Sequence, residues 1–472
     1  MQASAGFYDW LAAHNVSLVC STYQSNRVFF IGRKPEMGRL AIHERLFDRP
    51  MGLYWHNDTL TVATKYQIWQ LKNVLQPGQT HEGADQLYVP RQAHTTGDVN
   101  AHEVVVDSSG QTVFVNTDFS CVAGLHPTHS FEPLWQPPFI NKLAAEDRCH
   151  LNGLALRGGQ PTYATACSAT NEPAGWRSVR QTGGVVLHLP SNQVVATGLS
   201  MPHSPRWHEG RLWVLNAGTG ELGHVEGGRF VPLCFLSGFV RGLAFVGPYA
   251  VVGLSKLRSS SFGGLQLEQR LQEQQEQARC GLVVVDLRNG QVVESLLFHT
   301  LVDELFDVVA LPGVRQPRAL GLQSDDIERL ITYPGGPGVV VAKPGINSAS
   351  LVPRPRTAGL PETEQPVQYQ QVHNLTAENL KPYDAMTAPS LQARWQQHPQ
   401  RGELVGASAS VGGQMVGLAI AEIFTATDGT VQAEVLSLYV VPTYAEDKQQ
   451  TVRTSLLNHL QQRVGRLAGN VG

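Results

Sequence analysis

Charge is what this chain of 472 residues has little of: Asp, Glu, Lys and Arg make up 16% of it, where soluble domains average about a quarter. The two signs nearly cancel, 36 Lys+Arg against 39 Asp+Glu. That balance leaves no basic footprint for nucleic acid and no polybasic patch for a membrane surface. No apolar run reaches the ~20 residues of a membrane-spanning helix. Met1 to Trp10 lack a basic stretch followed by an apolar one, so no export signal is read there. Six cysteines are scattered at Cys20, Cys121, Cys149, Cys167, Cys234 and Cys280. None forms a C-x-x-C pair or a zinc-type Cys/His spacing. They read as reduced thiols, and the protein as cytoplasmic. No G-x-S-x-G elbow, P-loop, H-E-x-x-H or Rossmann fingerprint occurs. Cys149 and His150 are adjacent, but neighbours on a strand point to opposite faces, which argues against a Cys-His dyad.

What is there is glycine, 46 residues of it, and a texture of short apolar runs broken by Gly, Asn, Asp and Pro turns. Over the first 335 residues that texture predicts a mainly β fold of sandwich, barrel or propeller type. A repeat narrows the choice. A turn, a polar or special residue, a small residue and an apolar strand recur at Pro50-Met51-Gly52-Leu53, Ala101-His102-Glu103-Val104 and Leu151-Asn152-Gly153-Leu154. The pattern returns at Ser204-Pro205-Arg206-Trp207, Val240-Arg241-Gly242-Leu243 and Phe306-Asp307-Val308-Val309. The first four copies lie about 50 residues apart, the spacing of four-stranded propeller blades. The sixth copy has no strands after it, and the chain begins with three strands that have no motif before them: Ser17 to Thr22, Arg27 to Gly32 and Arg39 to Arg45. Joining them closes a six-bladed β-propeller over residues 1–335 and leaves no long free sheet edge.

Residues 263–279, rich in Gln, Glu and Leu, predict an inserted helix with Leu267 and Leu271 on one face. It is read as a lid, a partner-binding helix or a solvated decoration. Residues 336–366 form a Pro/Gly-rich linker with Pro353, Pro355, Pro361 and Pro366. A small α+β domain follows over 367–472: a helix at 373–386, a hairpin at 403–423 around Gly412-Gly413, a strand at 432–441, and a helix at 447–467 with Leu456, Leu457, Leu460 and Val464 on one face.

In a propeller the innermost strand of every blade lines the axis, so equivalent positions of the repeat form a ring near one mouth. The ring candidates are His102, Glu103, His150, Asn152, His203, Arg206, Arg241 and Asp307. Convergent imidazoles, carboxylates and guanidiniums on rigid strands suit a small-molecule or anion site. Two neutral imidazoles with a carboxylate also suit zinc or iron. The same groups can instead satisfy one another. Asn171, Glu172, Trp176, Arg177 and Lys256 are further candidates at the mouth.

The segments NAHEVVVD (100–107), EDRCHLNGLAL (146–156), ATACSATNEPAGWR (164–177), MPHSPRWHEGRLWVLNAGTGELG (201–223) and GFVRGLAF (238–245) resemble an uncharacterised bacterial propeller family. A weaker similarity runs to the six-bladed SMP-30/gluconolactonase propellers. There an Asn in an N-G-L-A strand and an Asp in the last blade hold a divalent metal. The resemblance puts Asn152 and Asp307 at those positions and Met51 where that family has a Glu. In the tail, VGLAIAEI (416–423), LSLYVVPTY (436–444) and the helix 452–464 resemble the first half of a GNAT-type acetyltransferase. That family's glycine-rich phosphate loop is missing: residues 445–453 contain no glycine and add two acidic groups. Acetyl-CoA is therefore not expected. The resulting expectation is a non-catalytic binding or scaffold protein without a cofactor. It would associate with a protein partner or with itself through a truncated, degenerate half-domain. The alternative is a metal-dependent hydrolase of lactonase or esterase type, with one divalent metal in the channel.

Overall fold

The computed structural model describes residues 1–256, 264–299, 302–322, 326–336, 339–341, 367–375, 403–411, 414–425, 431–440, 449 and 451–460. The chain divides into two compact units, Met1–Ser350 and Leu351–Gly472.

In the first unit, six sheets of four or five strands follow one another. Each begins with the strand that carries one copy of the repeat. These first strands are Leu53–His56, Ala101–Val106, Leu151–Arg157, Pro202–His208, Phe239–Val246 and Asp307–Pro312. Each lies beside the next, and Asp307–Pro312 lies beside Leu53–His56, so the six make a closed ring. From each of them an antiparallel meander runs outward. The sheet of Asp307–Pro312 is completed by the strands Val16–Thr22, Arg27–Lys34 and Arg39–Leu46, with Cys20 opposite Val308 and Ser21 opposite Asp307. The two ends of the unit are thus joined as the motif count requires. Two short strands add to this. Gln2–Ala3 pairs with Gln291–Leu297, and Pro317–Ala319 runs parallel to Gln86–Thr95.

Side-chain alternation explains why these strands are apolar on both faces. Leu18 and Cys20 pack toward Val251, Leu282 and Val284 of the preceding sheet. Val19, between them, packs toward Leu60, Val62 and Leu71 of the following one. Each of the six junctions between neighbouring sheets holds such a cluster. The hydrophobic core is therefore six wedges rather than one centre.

The inserted helix is present as Gln266–Glu273. Leu265, Leu267 and Leu271 are buried in the wedge between the fourth and fifth sheets, and Arg270 reaches Glu221 at 2.6 Å. Its apolar face is thus taken up by its own fold. The predicted helix at 373–386 lies outside the described residues beyond 375, and residues 373–375 belong to the strand Gln368–Leu375. The linker 336–366 also lies almost wholly outside them.

The second unit contains four antiparallel strands in the order Gln368–Leu375, Glu403–Val411, Gln414–Thr425, Val431–Val440. A helix over 451–460 sets Val452, Leu456 and Leu460 against Val405, Ala407, Ala419 and Ala421. The i, i+4, i+8 spacing of those three places them on one stripe.

Candidate functional site

Seven of the eight ring candidates lie at or just before the starts of the first strands, Arg206 lies further along Pro202–His208, and the structure sorts the eight into two layers and one outlier. The sorting is done by irregularities in pairing. The ladder between a first strand and its neighbour slips at Leu151/Gly153, at His203/Arg206 and at Arg241/Leu243. A bulge re-aims the side chains around it, so His203 and Arg206 do not end up in the same layer. Four lead-in residues without the freedom of glycine take left-handed backbone: Asn100 (φ 54), His150 (φ 51), Met201 (φ 47) and Ser204 (φ 48). Such positions cost about 1–3 kcal/mol each and gather where a side chain must be aimed. Gly242 shows how tightly the ring closes. It has φ 77, and a Cβ there would stand 2.7 Å from the Cα of Asp307.

The first layer is an ion cluster. Arg206 donates from Nη1 and Nη2 to the two carboxylate oxygens of Glu103 at 2.8 and 3.2 Å, and from Nη2 to Asp307 at 3.3 Å. Its Nε–H donates to the carbonyl of Leu243 at 3.1 Å. Asp307 also accepts the backbone N–H groups of Leu53 and Val308, both at 2.8 Å. All six first strands are tied by this one cluster, the third through a hydrogen bond between the Leu154 backbone and Glu103. Burial raises the pKa of both carboxyls, Glu103 to about 8, against the pull of Arg206. Two carboxylates sharing one guanidinium are one negative charge in excess, so a proton binds there more readily than to a free carboxylate.

The second layer is aromatic and basic. His102, His150 and His203 each hold Nδ1 against an oxygen. For His102 this is the carbonyl of Asn100 at 2.9 Å, with the Thr117 hydroxyl at 2.8 Å. For His150 it is both oxygens of Asp147 at 3.0 Å, and for His203 the carbonyl of Met201 at 2.7 Å. A carbonyl only accepts, so Nδ1 of His102 and His203 carries the proton and Nε2 is left as a lone pair. Nε2 of His203 is buried and has no hydrogen-bond partner among the described residues. Burial lowers the pKa of His102 and of His203 well below the ordinary imidazole value; the next cause is His150 for His102 and Arg241 for His203. Both are neutral bases at pH 7. The rings of His102 and His150 meet edge-on at 4.9 Å, and Trp176 lies 4.3 Å from His150. Arg241 sits over Phe239 and Phe306 at 5.0 and 5.2 Å.

Asn152 joins neither layer. Its side-chain oxygen accepts from Thr165 at 2.7 Å and its amide faces the Cys167 sulfur at 3.4 Å. Met51, at the position of the third metal ligand in the resemblance, is buried in an apolar wedge with Phe114 and Phe306. The cation beside Asp307 is the Arg206 guanidinium. These donors do not fit a divalent metal on Asn152 and Asp307. Among the described residues no group of three His, Cys, Asp or Glu side chains is placed to hold a metal ion.

Of the mouth candidates, Trp176 belongs to the site, through its ring and through an Nε1–H bond to Asp147 at 2.8 Å. Arg177 lies over Trp176 at 4.6 Å. Asn171 is engaged by Arg148, and Lys256 pairs with Asp303 at 2.5 Å. Sequence reasoning missed Asp147, Thr117, Phe239 and Phe306. The signal for Asp147 was its position three residues before His150. Phe306 was the residue just ahead of Asp307 in the last copy of the repeat.

Residues 5–320 match the family described as "Domain of unknown function (DUF4915)", and the chain belongs to that family. No curated protein matches it. Solved structures similar to it are β-propeller-like. One is a chain of the nidogen/laminin complex, at 10% identity and a TM-score of 0.42, covering 63% of this chain and 99% of that one. A gluconolactonase from Xanthomonas campestris has 13% identity and a TM-score of 0.35, with 52% and 75% covered. A virginiamycin B lyase from Staphylococcus aureus has 11% identity and a TM-score of 0.31, with 50% and 77% covered. Among the described residues no helix is long and apolar enough to cross a membrane.

Proposed function

We propose that the first unit is a six-bladed β-propeller that binds a small hydroxylated carboxylate at one end of its axis, without a metal. The observation that carries this reading is the buried Nε2 of His203, an acceptor with no donor among the described residues. Leaving such a group unsatisfied costs about 1–3 kcal/mol, and a ligand hydroxyl would relieve it. Arg241 brings a positive charge to the same layer, and its influence reaches both His102 and His203. The rings of Phe239, Phe306 and Trp176 suit a compact apolar body.

The domain limits we propose are 1–335 for the propeller, 336–366 for a linker and 367–472 for the second domain. For the second domain, which has a four-stranded sheet and a helix over 451–460, we propose a degenerate acetyltransferase-like fold that serves association with a partner or a second copy. Calorimetric titration of the full chain with 3-hydroxybutyrate and with butyrate tests the axis site, because the two ligands differ by the hydroxyl alone. The hydroxy acid is expected to bind about tenfold more tightly. Arg241→Met is expected to weaken both, and His203→Phe to erase the difference. A chelator should change neither titration. Equal binding of the two acids by the unaltered protein would sink the reading.

A further inference from the structure

We propose that His150 is a general base and that the axis site hydrolyses open-chain esters of small hydroxy acids. The inference rests on the binding reading above, since the hydroxy acid bound there would be the product. The geometry around His150 differs from that of the other two imidazoles. His102 and His203 hold their Nδ1–H on backbone carbonyls, whereas His150 faces a carboxylate, with both oxygens of Asp147 at 3.0 Å. Asp147 is itself fixed by the Trp176 indole N–H at 2.8 Å. A carboxylate oriented by a third group and facing Nδ1 fixes the tautomer and steadies the imidazolium that forms when Nε2 takes a proton. A carbonyl does this less well, because it carries no full charge. The side chain is also held in place at a cost: His150 and Asp147 both take left-handed backbone, with φ 51 and φ 43. The edge contact with His102 and the tilted contact with Trp176, at 4.9 and 4.3 Å, leave the ring little freedom to turn.

In the reaction, a water molecule gives a proton to Nε2 of His150 as its oxygen bonds to the ester carbonyl carbon. The carbonyl π electrons move to the oxygen, which faces Arg241, the positive charge of the layer. Collapse of this intermediate re-forms the carbonyl and breaks the bond to the alkoxy oxygen, which takes the proton from His150. Water is the only co-reactant. The hydroxyl of the acid half rests on Nε2 of His203. Asp147 and Trp176 are positioning residues, since neither touches the ester.

The test uses the full chain with 4-nitrophenyl 3-hydroxybutyrate, followed by nitrophenolate release, and with 3-hydroxybutyrate binding as the separate readout. The unaltered protein is expected to accelerate release over buffer. His150→Gly suits the left-handed backbone at that position, so the fold should persist, which retained 3-hydroxybutyrate binding would verify. Its rate is expected to fall about 100-fold or more and to recover in part when free imidazole is added. Asp147→Asn should also slow the reaction, but free imidazole should not restore it, because the ring is still in place. If 3-hydroxybutyrate binds and the ester is not cleaved, the catalytic inference fails and the binding reading stands. Cleavage that His150→Gly leaves intact overturns it as well. If neither binding nor cleavage is seen, both fall together.

Discussion

The two layers on the axis are built from the same repeat, a few residues apart, and they behave oppositely. In the Arg206 layer each charged group faces a partner of opposite charge, and the partners come from different sheets, so the cluster works as a rivet. In the imidazole layer each Nδ1 meets an oxygen, while the buried Nε2 of His203 has no hydrogen-bond partner among the described residues. A closed network contributes to holding the fold in one arrangement. A network with surplus acceptors is destabilising until something donates to it. Nearness to the axis therefore says little about function. What distinguishes the layers is whether the protein completes its own hydrogen bonds.

The comparison breaks most severely at Arg206. Arg206→Met leaves Glu103 and Asp307 buried without their counter-ion, and an expected loss of about 3–5 kcal/mol should appear in denaturant unfolding. A loss under about 1 kcal/mol would mean that the cluster is not a rivet. Gly242→Ala comes next. Its φ of 77 and the 2.7 Å approach to Asp307 predict a cost of about 1–3 kcal/mol, readable in the same experiment. If the variant is as stable as the parent, the first strands do not pack as closely as described.

Titration sharpens the contrast, and its sign differs between layers. Glu103 has its carboxyl raised from 4.5 to about 8 in the folded protein, so the folded state holds the extra proton. Its contribution to stability is present below about 4.5 and is lost as pH rises to about 8. Glu103→Gln, which leaves Arg206 and Asp307 as a one-to-one pair, should flatten that part of the stability profile. A variant profile parallel to the parent's would show that Glu103 does not carry the shared proton. For the imidazoles the sign reverses. Burial lowers His102 and His203 below their ordinary 6.5, so their contribution is present above 6.5 and is lost as pH falls below it. The smallest effect is expected at His203→Phe, which removes an unsatisfied buried acceptor as well as the bond to Met201. Stability should change by less than about 1 kcal/mol while hydroxy-acid discrimination disappears. A loss as large as that of Arg206→Met would erase the distinction between the layers.

Much of the fold was legible because period-two alternation and a recurring turn-strand motif report local geometry directly. The motif at Asp307 with no strands after it, and the strands from Ser17 with no motif before them, were enough to predict how the chain closes. The site was legible as a set of residues but not as an arrangement. Which of His203 and Arg206 enters which layer depends on a slip in pairing between them, and such a slip has no composition signal. Asp147 was passed over because it lies in the loop before Leu151–Arg157 and not in the motif. Its role appears only when Trp176, 29 residues later, folds back to meet it. Asn152 lies on the strand to which the resemblance assigned it, and its side chain is turned to Thr165 and Cys167.

The sequence by itself determined the sheet-forming alternation, the repeat, the pairing of the strands after Ser17 with the strand at Asp307, and the ring candidates on the first strands. These follow from local propensity and side-chain period, which act over a few residues. Only the tertiary structure decided that the cation beside Asp307 is a guanidinium, that three imidazoles all hold Nδ1 on oxygen, and that Nε2 of His203 is buried without a donor among the described residues. Those outcomes depend on groups about 100 residues apart, such as Glu103, Arg206 and Asp307, competing for one another in a low-dielectric interior. Side-chain pairing of that kind is settled by packing and desolvation, and neither is written in any single segment of the chain.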